Sequence, residues 1–163
     1  MNVGEQSTII FLFWLVFFLL LFWTVTTPKS GNILKIPPVI SSGSIIKLKH
    51  VASDKYLSST CEPWILVPSS LISDPATHFI IQRQNGFISI QSVFTQGYLS
   101  SSLTQVPFPE FVFEFLFLQT EGILIRSNNE YLTISNLESC GYSTLSKIPF
   151  SNEAELKWNI IDI

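Results

Sequence analysis

Four side chains in this sequence have the chemistry of metal ligands or nucleophiles: His50, His78, Cys61 and Cys140. A structural zinc site draws its ligands in close pairs. No two of these residues have that spacing, and there is no Cys-x-x-Cys. Cys61 with either histidine could formally act as a nucleophile pair, but no motif surrounds it. Glu110 and Glu114 lie four apart in the run PFPEFVFEFLFL. In a strand, even spacing puts both carboxylates on one face and Phe111, Phe113, Phe115 and Phe117 on the other. A glycosidase uses two carboxylates, yet a solvated strand face over a Phe-rich core explains the same pattern more simply. No phosphate-binding glycine loop or nucleophile elbow occurs. The expectation is a chain that is not an enzyme and holds no metal or cofactor. A net charge of −3 with no basic-aromatic patch argues against nucleic acid as a partner.

Those residues sit in a threefold repeat. Leu48-Lys49-His50 leads to Tyr56-Leu57, Ile90-Gln91-Ser92 to Tyr98-Leu99, and Ile125-Arg126-Ser127 to Tyr131-Leu132. Each copy must be one unit of a shared core. From Gly43 onward, short apolar–polar alternations separated by turn residues mark strands. Strands are expected over 45–50, 55–58, 65–67 and 79–82, then 87–92, 97–100, 103–106 and 111–118. A third set covers 123–127, 131–134, 143–145 and 156–161. Phe79, Phe115 and Trp158 each close a unit with an aromatic-x-apolar step, and Gly86 and Gly122 each follow the closing Phe by the same interval. Repetition assigns these aromatics, with Leu48, Tyr56, Leu57, Ile90, Tyr98, Leu99, Ile125, Tyr131 and Leu132, to the core rather than to a ligand platform.

Three units of four strands, each with a Tyr-Leu step and a closing aromatic, resemble the β-trefoil. The run Gly43-Ser-Ile-Ile-Lys-Leu-Lys-His-Val-Ala-Ser-Asp-Lys-Tyr-Leu-Ser-Ser is most similar to MIR-type trefoils, which occur in protein O-mannosyltransferases and in inositol-trisphosphate and ryanodine receptors. MIR-type motifs also place a His at the position of His50. The resemblance covers residues 43–163 and implies a six-stranded barrel under a triangular cap. It implies little about function, since trefoils host unrelated activities. Ricin-type lectins carry a Gln-x-Trp repeat that is missing here. Arg83 and Arg126 are too few for the basic clusters by which receptor trefoils hold inositol phosphates.

The N-terminal part differs. After a polar tail over residues 1–8, residues 9–25 read IIFLFWLVFFLLLFWTV, without a charge. With the flanking threonines this is about 20 residues, roughly the 30 Å of a hydrocarbon core as a helix. The summed insertion free energy is on the order of −6 kcal/mol. Residues 9–27 are therefore expected to be a single transmembrane helix, anchored by Ile9, Phe13, Trp14, Phe17, Leu20, Trp23 and Val25. A cleaved signal peptide would need a basic n-region and a small-residue cleavage site. The n-region MNVGEQST has neither Lys nor Arg. Residues 28–42 form a linker, held extended by Pro28, Pro37 and Pro38.

Positive charge clusters after the span. Residues 26–55 hold Lys29, Lys35, Lys47, Lys49 and Lys55 against the single acid Asp54. The positive-inside rule then puts the N-terminus out and the trefoil on the cytoplasmic or equivalent interior side, with the lysines toward anionic headgroups. Two cysteines fall short of a secreted disulfide framework, and the sequence leaves open whether they pair. The resulting expectation is an all-β trefoil behind a single transmembrane α-helix. It would act as a membrane-anchored structural or interaction subunit of a larger assembly, with the bilayer and other protein subunits as partners. The alternative is a membrane-tethered ligand-binding trefoil for a glycan or a lipid headgroup such as a phosphoinositide.

Overall fold

The computed structural model describes residues 40–119 and 121–163. The expected transmembrane segment, most of the linker, Lys29 and Lys35 lie outside the described residues. Among the described residues no helix is long and apolar enough to cross a membrane.

Twelve strands form in chain order, four per unit. The first unit has β1 (Ile45–His50), β2 (Lys55–Ser58), β3 (Ile65–Val67) and β4 (Phe79–Gln84). The second has β5 (Phe87–Ser92), β6 (Tyr98–Leu99), β7 (Gln105–Val106) and β8 (Glu114–Phe117). The third has β9 (Ile123–Ser127), β10 (Glu130–Ser139), β11 (Tyr142–Ile148) and β12 (Lys157–Asp162), with a single helical turn α1 (Glu153–Leu156) leading into the last strand. The first and fourth strands of each unit close a barrel. β1 pairs with β4, β4 with β5, β8 with β9, β9 with β12 and β12 with β1. The Ile88–Phe113 bridge joins β5 to the approach of β8 and completes the ring. The remaining strands make three hairpins, β2–β3, β6–β7 and β10–β11, and β11 also touches β3. This is the trefoil arrangement expected from the repeat.

Strand alternation decides which repeated residues reach the core. Ile46, Leu48, Phe79, Ile81, Ile90, Ile125 and Trp158 are fully buried inside the barrel, and Leu57, Leu99 and Leu132 join them from the cap strands. Each such side chain contributes about 1.5–3 kcal/mol by leaving water. Because successive residues point to opposite faces, the Tyr beside each of these leucines must face away from the barrel. The expectation that all three tyrosines fill barrel layers is therefore corrected. Tyr98 and Tyr131 are half-buried and stand outside both apolar clusters. Tyr56 is buried, but in a second cluster with Ile65 and Val67, flanked by Cys61, Tyr142 and Ile161. Phe115 packs only partly against the core, whereas Phe113 takes the fully buried position.

Two further features hold the units in place. Cys61 and Cys140 form a disulfide with Cα atoms 6.5 Å apart, linking the β2–β3 connection to the β10–β11 turn. Gly122 has φ +93°, and a Cβ there would lie 2.8 Å from the Trp158 carbonyl oxygen, so this turn accepts only glycine. The contrast between neighbours in one repeat is directly measurable. In denaturant melts Leu99→Ala is expected to cost about 2–5 kcal/mol, and Tyr98→Ala less than half of that.

Candidate functional site

The third position of the repeat, occupied by His50, Ser92 and Ser127, ends strands β1, β5 and β9 and is buried in every unit. A buried polar group needs a hydrogen-bond partner. What supplies it is the turn that follows. His50 pairs with Lys55 across residues 51–54, and the Ser92 amide donates to the Gly97 carbonyl across residues 93–96. Ser127 pairs with Glu130 across Asn128 and Asn129 alone. In the first unit the longer turn brings Ser53 Oγ to within 3.1 Å of His50 Nδ1, while Nε2 donates to the Glu155 carbonyl at 2.8 Å. In the second, Ser92 Oγ accepts from the amides of Phe94 and Thr95 and lies 2.6 Å from Ser59 Oγ. In the third, the two-residue turn reaches nothing over the hydroxyl. Ser127 Oγ is buried and has no partner among the described residues. Asn128 and Asn129 carry φ of 53° and 63°, the tight primed turn that asparagine tolerates.

The short turn borders a groove of about 450 Å³, lined by Phe87, Phe111, Val112, Glu114, Arg126, Ser127, Asn128 and Asn129. Four elements meet here. Phe87 opens β5, residues 111 and 112 precede β8, Glu114 begins β8, and residues 126–129 come from the end of β9 and its turn. Glu114 and Arg126 face each other across β8 and β9, with Arg126 Nε donating to Glu114 Oε2 at 2.6 Å. The bond from Glu114 holds the guanidinium above its ordinary pKa, against partial burial, and Tyr131 adds to the shift. The groove thus combines aromatic rings, a carboxylate, a guanidinium and two exposed side-chain amides. Apolar walls with a few convergent polar groups are the usual makeup of a small-molecule site. This set offers donors and acceptors together, as a polyhydroxylated ligand requires.

Other residues singled out by the sequence do different work. Glu110 and Glu114 do not form a carboxylate pair, because β8 begins only at Glu114. Glu110 Oε2 accepts from the Ser101 amide at 2.9 Å, and Glu114 is committed to Arg126. The Phe-rich run turns largely inward: Phe113 is fully buried, and Phe115 and Phe117 pack on the core. The disulfide consumes both thiols, so neither cysteine is a nucleophile. Lys49 forms an ion pair with Asp54 and lies 5.6 Å from the Tyr56 ring centre, an intradomain role. Lys47 is half-buried on β1.

Phe87, Phe111, Asn128 and Asn129 were not singled out from the sequence. One signal was present. The interval from the apolar residue to Tyr is the same in the first two copies, and two residues shorter from Ile125 to Tyr131. In a repeat, a shortened turn marks where a shared internal contact has been given up.

Both histidines are shifted toward the neutral form. Burial pushes His50 below the usual imidazole range, and the bond to the Glu155 carbonyl opposes this only in part. Burial and then Lys47 lower His78, with Asp74 opposing. An unfolded histidine titrates near 6.5, so just below that pH the unfolded state binds more protons. Stability from this source is complete above about pH 6.5. It is lost as the pH falls toward the depressed folded values. Thermal melts are expected to show a midpoint that drops between pH 7.5 and 5, and His50→Gln should flatten the drop.

No family model matches the sequence, and no curated protein matches it. Solved structures do. A ricin B-like lectin from Macrolepiota procera, in complex with lactose, superposes with a TM-score of 0.64 at 14% identity, covering 76% of this chain and 99% of the lectin. The Rhizoctonia solani agglutinin gives a TM-score of 0.62 at 12% identity, covering 77% and 99%. The BEL β-trefoil gives 0.61 at 13% identity, covering 78% and 98%. At these identities the likeness establishes the fold alone: an all-β trefoil.

Proposed function

We propose that this chain is a glycan-binding trefoil carried on an N-terminal membrane anchor, and that it binds rather than transforms its ligand. The observation that carries the reading is the groove itself, where Phe87 and Phe111 stand beside Glu114, Arg126, Asn128 and Asn129. A sugar hydroxyl both donates and accepts, so it can pair with the carboxylate, the guanidinium or the side-chain amides there. Phe87 and Phe111 supply apolar faces for a sugar ring, and Glu114, Arg126 and the two asparagines supply hydrogen bonds around its rim. The lactose complex of the Macrolepiota procera lectin shows that this fold can present a sugar site. The missing Gln-x-Trp repeat fits a site built elsewhere on the fold. The kinship of the first unit with MIR-type trefoils rests on residues 43–59 alone.

This reading reverses the order of the two roles expected from sequence. The Phe-rich run is spent on the core, while a polar, aromatic-lined pocket of the kind a ligand-binding module needs is present. A lipid headgroup bearing phosphates fits less well, because the one guanidinium in the groove is already paired with Glu114. Glycan-array screening of the chain should give binding that falls at least about fivefold in Phe87→Ala. A uniformly negative array would overturn the reading.

The anchor formed by Ile9, Phe13, Trp14, Phe17, Leu20, Trp23 and Val25 remains part of the proposal as a tether. For its orientation two rules oppose each other. The lysine count favours the interior side, whereas a disulfide such as Cys61–Cys140 persists in oxidising compartments. We take the covalent bond as the stronger argument and assign the trefoil to the oxidising face, where glycans are displayed. Maleimide labelling of the protein in intact cells checks this. Both cysteines should react only after reduction, and free thiols without reductant would restore the positive-inside orientation.

A further inference from the structure

The groove is one end of a longer surface. Antiparallel pairing sets residues of adjacent strands directly opposite each other, on the same face of the sheet. The Ile88–Phe113 bridge places Phe87 opposite Glu114. Glu114 is opposite Arg126, Arg126 opposite Tyr131, and Tyr131 opposite Ile148. One row therefore runs across β5, β8, β9, β10 and β11. Four inter-strand steps of about 4.8 Å make it roughly 19 Å long, measured along the sheet. Phe87 and Arg126 line the groove together, and Arg126 stands directly opposite Tyr131, so the row is in register from one end to the other. At its far end Phe150 meets the Tyr131 ring edge-on, with centroids 5.5 Å apart. Phe150 is 58% exposed and Phe87 42% exposed. Two solvent-facing aromatic sites thus flank a central acid–base pair.

We infer that the ligand is a linear, neutral oligosaccharide of several rings. It lies across the strands, with one ring against Phe87 and Phe111 and another against Tyr131 and Phe150. This rests on the glycan-binding reading and adds chain length and charge to it. A single ring in the groove would leave the Tyr131–Phe150 pair bare. The charge of the ligand follows from the centre of the row. Glu114 and Arg126 neutralise each other, so a charged sugar would gain from one and be repelled by the other. Hydroxyls can use the carboxylate and guanidinium positions that the pair leaves free.

The test uses the full chain with cello-, chito- and galacto-oligosaccharides, each as the two-ring and the four-ring compound, by titration calorimetry at low and high salt. In the series that binds, the four-ring compound should bind at least about tenfold more tightly. The difference should be insensitive to salt. Phe150→Ala and, separately, Tyr131→Ala should bring the ratio of the two affinities to about one. Phe108→Ala, which removes an exposed aromatic outside the row, should leave that ratio as it was. Equal affinities for two and four rings would overturn the inference and leave the groove reading standing, as would a ratio that persists in Phe150→Ala. Silence from every compound at both lengths would overturn both.

Discussion

Closure of the barrel is the constraint on which everything else depends. β12 runs antiparallel to β1 from Ile46–Asp162 to His50–Trp158, and this pairing joins the two ends of the described chain. An open six-stranded sheet would expose two edges. Closed, it needs inward side chains of the right size at every strand, which Ile46, Leu48, Phe79, Ile81, Ile90, Ile125 and Trp158 provide. The hairpins then cover one end. Their own register is tied to the barrel through contacts such as Trp158 Nε1 donating to the Leu132 carbonyl at 3.0 Å.

Closure also buries the end of each first strand, and with it a polar residue. Three units answer that burden in three ways. His50 is satisfied by a hydroxyl and a carbonyl and stacks edge-on against Trp158, with ring centroids 4.9 Å apart. Ser92 is satisfied by amides of its own turn and by Ser59 from the first unit. Ser127 is not satisfied. The same buried hydroxyl is tied into the scaffold in one unit and left unpaired in another, because two turn residues are missing.

Much of the fold could be read from the chain. The repeat announced twelve strands in three groups, and most fall within a residue or two of the expected places. β10 and β11 run longer than their local pattern suggested, since each finds a partner across the hairpin. β8 starts late because Glu110 and the residues around it are held by the β6–β7 connection rather than by the sheet. The tyrosines were misplaced for a definite reason: recurrence shows that a position matters to every unit, but not on which side of the sheet it falls. Once leucine takes the inner face, its neighbour cannot. The candidate site was barely legible, since Phe87, Phe111, Glu114 and Ser127 come from three separated stretches of chain.

What the sequence alone determined was the threefold unit, the alternation that builds strands, and a long uncharged apolar segment before them. These are local or periodic properties, and a one-dimensional pattern carries them in full. Only the tertiary structure decided that Cys61 and Cys140 pair, that Glu114 pairs with Arg126, and that the buried Ser127 hydroxyl, like that of Ser89, is left without a partner. Each of these depends on which residues from distant units meet across a closed barrel. Barrel closure brings them together, and no spacing along the chain encodes that distance.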